Sequence, residues 1–243
     1  MNPAPGSVEQ CLELAIRHVN AGQPEPARLL CEHALATHPP HPAVLQLLAV
    51  LCLKEGQLPR AAQSIAASLQ LRPDHPPSLL VAGDVARARG DLSLALAHHR
   101  RAWALLPDRA DAAYALGLTL HVNGHAREAA HVLARAVELA PAHADAWFAL
   151  ALALQDLREL EDAAAALQRV LKLAPAQAEV EVNLGIVLQE AGKMDEAMRA
   201  YGRAYRLRQD CFGRVAHALA AANMGRLWLN LDVLRNILAA QPA

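Results

Sequence analysis

Residues 144–177 read ADAWFALALALQDLRELEDAAAALQRVLKLAPAQ, and this 34-residue stretch decides the fold. Its apolar side chains fall at Leu150, Leu154 and Leu157, then at Leu160, Ala163, Leu167 and Leu171. Steps of three and four residues collect those side chains on one side of a helix. Pro175 stops the second run, because proline lacks an N–H and its ring clashes with the preceding turn. The stretch therefore predicts two helices joined by a short turn.

The same marks recur along the chain at one period. Prolines stand at Pro39, Pro73, Pro107, Pro141 and Pro175, each 34 residues after the last. Small residues keep that phase at Ala15, Ala49, Gly83, Gly117, Ala151 and Gly185, and an alanine follows twelve residues later at Ala27, Ala61, Ala95, Ala129, Ala163 and Ala197. Between them come Gly22, Gly56, Gly90, Gly124 and Gly192, with Arg158 the single departure. Each column has a physical reason. Paired small residues let two helices approach closely. The glycine admits a left-handed turn where the first helix ends. Four columns at one period define an internal repeat.

This pattern, seen best in Trp147, Leu150, Ala151, Ala163, Leu167 and Pro175, resembles the tetratricopeptide repeat family. The resemblance implies an all-α, right-handed superhelical solenoid of antiparallel helix pairs, about seven hairpins in all. Six copies span 8–41, 42–75, 76–109, 110–143, 144–177 and 178–211, after a leader at 1–7. A degenerate seventh copy or C-terminal cap fills 212–243. It keeps Ala218, Gly225 and Pro242, shifted by one residue, but has Asn230 where alanine is then due. Neighbouring hairpins must stack, since none can bury its apolar face alone.

Composition agrees with this class. The 243 residues are 54% hydrophobic but only 3% aromatic, so small and straight-chain side chains dominate, as suits close-packed helices. A net charge of −1 gives no reason to expect nucleic acid as a partner. No apolar run of about 18 residues predicts a membrane span, so no membrane insertion is expected. The first ten residues lack the basic and apolar regions of a secretory signal. A cytoplasmic location is expected, and Cys11, Cys31, Cys52 and Cys211 read as reduced core thiols at no metal or redox spacing.

In the family the first helix of each pair lines the concave side, with the fifth and ninth residues of each repeat pointing into the groove. Here the fifth positions are Leu12, Gln46, Leu80, Tyr114, Phe148 and Val182, and the ninth are Ile16, Val50, Asp84, Leu118, Leu152 and Ile186. The stripe is mostly apolar, and it either packs between neighbouring first helices or offers a track to a partner segment. Tyr114 and Phe148 are the candidate anchors. Arg87, His121, Gln155, Asp156, Asn183, Gln189 and Glu190 flank them and could bond a peptide backbone. The first helices of repeats 4 to 6 carry Asp111, Asp145, Asp156, Glu179, Glu181 and Glu190 and no Lys or Arg, whereas arginines such as Arg100, Arg101, Arg135, Arg169, Arg199 and Arg203 lie on second helices. An acidic groove is expected, taking a segment with apolar anchors and at least one Lys or Arg.

Other chemistries are not indicated. The basic and amide ligands with which one subgroup of the family grips acidic chaperone tails are missing. So is the asparagine ladder of the O-linked N-acetylglucosamine transferases, of which only Asn183 is present. The twelve histidines never combine an i, i+4 pair with a nearby third ligand, and no G-x-S-x-G, phosphate-binding loop or HExxH occurs. No enzyme activity, cofactor or metal is expected. The leading expectation is a scaffold or adaptor that binds another protein. The alternatives are a substrate-recruiting subunit of a separately encoded modifying enzyme, and a structural protein that self-assembles through its solenoid ends. For the last, Leu227, Trp228 and Leu229 form the candidate docking element, in an apolar stretch that departs most from the repeat.

Overall fold

The computed structural model describes residues 6–221 and 230–242. Most of these residues are helical, with no strand among them. In chain order the helices are α1 (Val8–Asn20), α2 (Pro24–Thr37), α3 (Pro42–Lys54), α4 (Leu58–Leu71), α5 (Pro76–Ala88), α6 (Leu92–Leu105), α7 (Ala110–Val122), α8 (Ala126–Leu139), α9 (Ala144–Asp156), α10 (Leu160–Leu173), α11 (Ala178–Glu190), α12 (Met194–Leu207), α13 (Phe212–Ala221) and α14 (Leu231–Ala239). Tight turns fold α1 on α2, α3 on α4, α5 on α6, α9 on α10 and α11 on α12 as antiparallel pairs, so the fold is an all-α solenoid of helical hairpins. None of the helices is long and apolar enough to cross a membrane.

The turn inside each hairpin is set by local geometry. Gly22, Gly56, Gly90, Gly124 and Gly192 all take φ between 70° and 80°. The residue after each donates its backbone N–H to the carbonyl five residues back, as from Gln57 to Cys52 at 2.8 Å and from Lys193 to Leu188 at 2.9 Å. This closes the helix C-terminus in a Schellman motif. Arg158 makes the same turn at φ 63°, a conformation that costs a non-glycine residue about 1 kcal/mol or more.

The chain forms two compact units, Met1–Thr119 and Leu120–Ala243. Unit one has a core of small side chains. Cys11, Ala15, Ala27, Cys31, Ala49, Cys52 and Ala61 are buried with Val44, Leu51 and Ile65. The three thiols here are hydrophobes in function. Burial pushes all three above the ordinary cysteine range, and Cys31 reaches about 12. Gly83 faces the ring of His99, which is fully buried, with Nδ1 2.8 Å from Thr119 Oγ1 and Nε2 3.3 Å from the Leu80 carbonyl oxygen. That burial lowers the imidazole pKa, against a smaller opposing pull from Asp84.

Unit two has the bulkier core, including Leu167, Val182, Leu184, Met198, Tyr201, Val215, Leu234 and Leu238. Gly185 seats the Tyr201 ring here, as Gly83 seats His99 in unit one. α14 packs on α12, burying Leu234 and Leu238. Asn230 caps α14, its Oδ1 accepting from the N–H groups of Asp232 at 2.9 Å and Val233 at 3.2 Å.

Candidate partner-binding site

The first helices of unit two present a mixed face. On α9, Phe148, Leu152, Gln155 and Asp156 succeed one another at helical spacing, and on α11 Asn183, Ile186 and Glu190 do the same. Phe148, Leu152, Gln155, Asn183, Ile186 and Glu190 are half-buried, and Asp156 is exposed. Phe148 and Ile186 rest against the core, so part of each ring or chain is already spent on packing. In unit one, Leu80, Asp84, Arg87 and Tyr114 are likewise half-buried.

The polar groups of this face mostly satisfy one another. His121, in the last turn of α7, sits with Nε2 2.9 Å from Asp156 Oδ2. Gln155 Nε2 donates to Glu190 Oε1 at 3.1 Å, and Arg158 Nη1 donates to Glu190 Oε2 at 2.7 Å. The left-handed turn at Arg158 therefore brings in a cation that the sequence reading had not assigned to the site. In unit one Arg87 Nη2 donates to Asp84 Oδ1 at 2.9 Å.

Two expectations need correction. Gln189 is 2% exposed and belongs to the interior. Its Oε1 accepts from the Tyr201 hydroxyl at 2.9 Å and its Nε2 donates to the Ala218 carbonyl oxygen at 2.9 Å, because a buried tyrosine needs a polar partner. Val182 is fully buried, which fits the packing alternative for the apolar stripe at the fifth position of the sixth copy. The acidic excess is largely neutralised. Glu181 lies inside, gripped by Arg203 through Nε at 2.7 Å and Nη2 at 2.9 Å. Glu179 meets Arg208 at 3.4 Å. Asp111 meets Arg109 at 2.7 Å, which holds that carboxyl below its usual range. Arg203, one of the arginines noted on second helices, thus answers a first-helix acid, whereas Arg109, Arg158 and Arg208 come from the turns beside the helices. Leu227, Trp228 and Leu229 lie outside the described residues.

Stacked hairpins closed by left-handed turns define a helical-repeat protein. More particularly, the chain belongs to the tetratricopeptide repeat family. Residues 18–82 and 148–212 match tetratricopeptide repeat models, together just over half the chain. Residues 88–170 match the model of "Anaphase-promoting complex, cyclosome, subunit 3". Among solved structures, the APC/C hetero-tetramer Cut9–Hcn1 is similar at a TM-score of 0.78 and 17% identity, over 90% of this chain and 44% of that one. A tetratricopeptide repeat protein from Parabacteroides merdae gives 0.66 at 17% identity, over 96% and 99%. YrrB, described as a tetratricopeptide protein with an unusual peptide-binding site, gives 0.65 at 21% identity, over 79% and 96%. No curated protein matches the chain.

Proposed function

We propose that this protein is a protein–protein interaction scaffold that holds a segment of its partner on the first-helix face of unit two, with Phe148 as an apolar anchor. The observation that carries the reading is the row of half-buried apolar side chains beside amides on α9 and α11. Phe148, Leu152 and Ile186 are neither committed wholly to the core nor left as isolated surface residues. Gln155 and Asn183 stand beside them and can bond a peptide backbone without demanding one sequence. Because Asp156 and Glu190 already have partners in His121 and Arg158, apolar anchoring outweighs any preference for a basic segment. YrrB, with its peptide-binding site on the same fold, is a precedent for the mode of action.

The test is recovery of partners on the full chain from its native host, compared with Phe148→Ala combined with Leu152→Ala. Affinity for a recovered partner should fall by about 2 kcal/mol, some thirtyfold, with the helical circular-dichroism signal unchanged. Equal affinity in the folded double variant places the partner elsewhere. The match of residues 88–170 to a subunit model of the anaphase-promoting complex favours a second reading, in which the chain recruits substrates within a larger modifying assembly. An enzyme recovered stoichiometrically with the bait would favour that reading over a free-standing adaptor.

A further inference from the structure

On the first-helix face most charges answer one another, but on the second-helix side of unit two several do not, and four of these surround one trough. There a trough of about 810 Å³ runs between α8 and α10 over α9. Trp147, Leu150 and Leu154 form its apolar floor. The Trp147 N–H is already given to the Pro141 carbonyl oxygen at 3.0 Å, so the indole requires no polar occupant. Ala130 and Ala134 from α8 and Ala165 and Ala166 from α10 line the walls beside His131 and Gln168, and at the alanines a backbone can come close. Along the rim stand Glu159 and Asp162, where α10 begins, and Arg169 and Lys172, where it ends. All four are exposed, and among the described residues none of their side chains has an ion-pair or hydrogen-bond partner.

This charge pattern is not a property of the repeat. Two copies earlier, a trough of about 420 Å³ occupies the same phase in unit one. There Leu94 replaces Asp162, Ala104 replaces Lys172, and Arg101 is occupied by Asp74, Nε to Oδ1, at 2.6 Å.

We propose that the trough of unit two docks an amphipathic α-helix of another protein, antiparallel to α10, with acids in its first turn and bases in its last. It is a second docking surface, distinct from the first-helix face. Glu159 and Lys172 are about 20 Å apart along the α10 axis, and Asp162 and Arg169 about 10 Å, so a partner helix of three to four turns spans them. An antiparallel helix sets its acids against Arg169 and Lys172 and its bases against Glu159 and Asp162. Those are also the ends where its own dipole favours them. A parallel helix with the same charges would set like against like. An extended segment would lay unpaired backbone N–H and C=O groups over the apolar floor, whereas a helix satisfies them internally.

The experiment uses the full chain and labelled 16-residue peptides. They share leucines at i, i+3, i+4 and i+7 and differ in end charges: acid-first and base-last, or neutral. By fluorescence anisotropy at low salt, the acid-first peptide should bind about tenfold more tightly than the neutral one. A photo-crosslinker at its N-terminus should mark the Lys172 end of α10, and combining Glu159→Lys, Asp162→Lys, Arg169→Glu and Lys172→Glu should move that crosslink to the position-159 end. Should the reversed charges unfold α10, the neutral set Glu159→Gln, Asp162→Asn, Arg169→Gln and Lys172→Gln should erase the gain over the neutral peptide. A proline in the middle of the peptide should abolish binding. No gain over the neutral peptide, a crosslink at the Glu159 end of the wild type, a gain that survives the neutral set, full binding by the proline peptide, or no binding at about 1 mM would each overturn the proposal.

Discussion

Arg158 is the residue at which a structural rule and a local interaction compete. Five other hairpin turns use glycine at the left-handed position, and this one uses arginine at φ 63°. Its side chain offsets the strain by reaching Glu190, but it is 64% exposed, and such pairs contribute well under 1 kcal/mol. Backbone conformation should therefore dominate. Arg158→Gly and Arg158→Ala both delete the ion pair, and only the glycine relieves the strain. We expect Arg158→Gly to be more stable than Arg158→Ala by about 1 kcal/mol in chemical denaturation. Equal stabilities would mean that the turn is not strained.

Helix contact within a hairpin depends on matched sizes sixteen residues apart. Gly83 accepts His99 and Gly185 accepts Tyr201, whereas the fifth copy pairs Ala151 with Leu167. A methyl group at position 83 would run into the buried His99 ring. Gly83→Ala alone should cost about 1–3 kcal/mol by overpacking. Adding His99→Leu copies the Ala151 and Leu167 pair and should recover most of that loss. Thr119 keeps its hydrogen bond to the Ala115 carbonyl oxygen, so little is orphaned. The double variant also carries a pH signature. Burial holds the folded His99 pKa below its ordinary value of 6.5, so the unfolded chain binds a proton more readily. The stability this provides is complete above about pH 6.5 and is lost as pH falls through the folded value. Denaturation between pH 7 and 5 should therefore weaken the wild type more than the double variant. Parallel curves would show that His99 is not the group responsible.

At the scale of the molecule, stability is a sum over hairpins and their neighbours, and it need not be even. α1 buries only Cys11 and Ala15, whereas α11 buries nine residues, among them Val180, Val182, Leu184, Val187 and Leu188. Apolar area sets the gain from stacking, so unit two should outlast the first hairpin of unit one. Hydrogen exchange read by mass spectrometry should show amides of α1 and α2 about tenfold or more less protected than those of α11 and α12. Uniform protection across both units would show instead a single cooperative block.

The sequence by itself determined the helices, their pairing and the left-handed turns. Those features follow from forces within a few residues: apolar side chains at helical spacing, proline stops, and glycine where φ must be positive. Even the exception at Arg158 was visible as a break in its column. The surface was only partly legible. Phe148, Asn183 and Glu190 keep some exposure, but nothing local revealed that Gln189 would turn inward to serve Tyr201, or that Glu181 would lie buried against Arg203. Nor did local pattern show that Gln155 and Arg158 would claim Glu190 from 35 and 32 residues away, or that Glu159, Asp162, Arg169 and Lys172 would be left over around one apolar trough. Such pairings depend on how one hairpin rotates against the next. That rotation is set by the volumes packed between them, which one-dimensional periodicity does not encode.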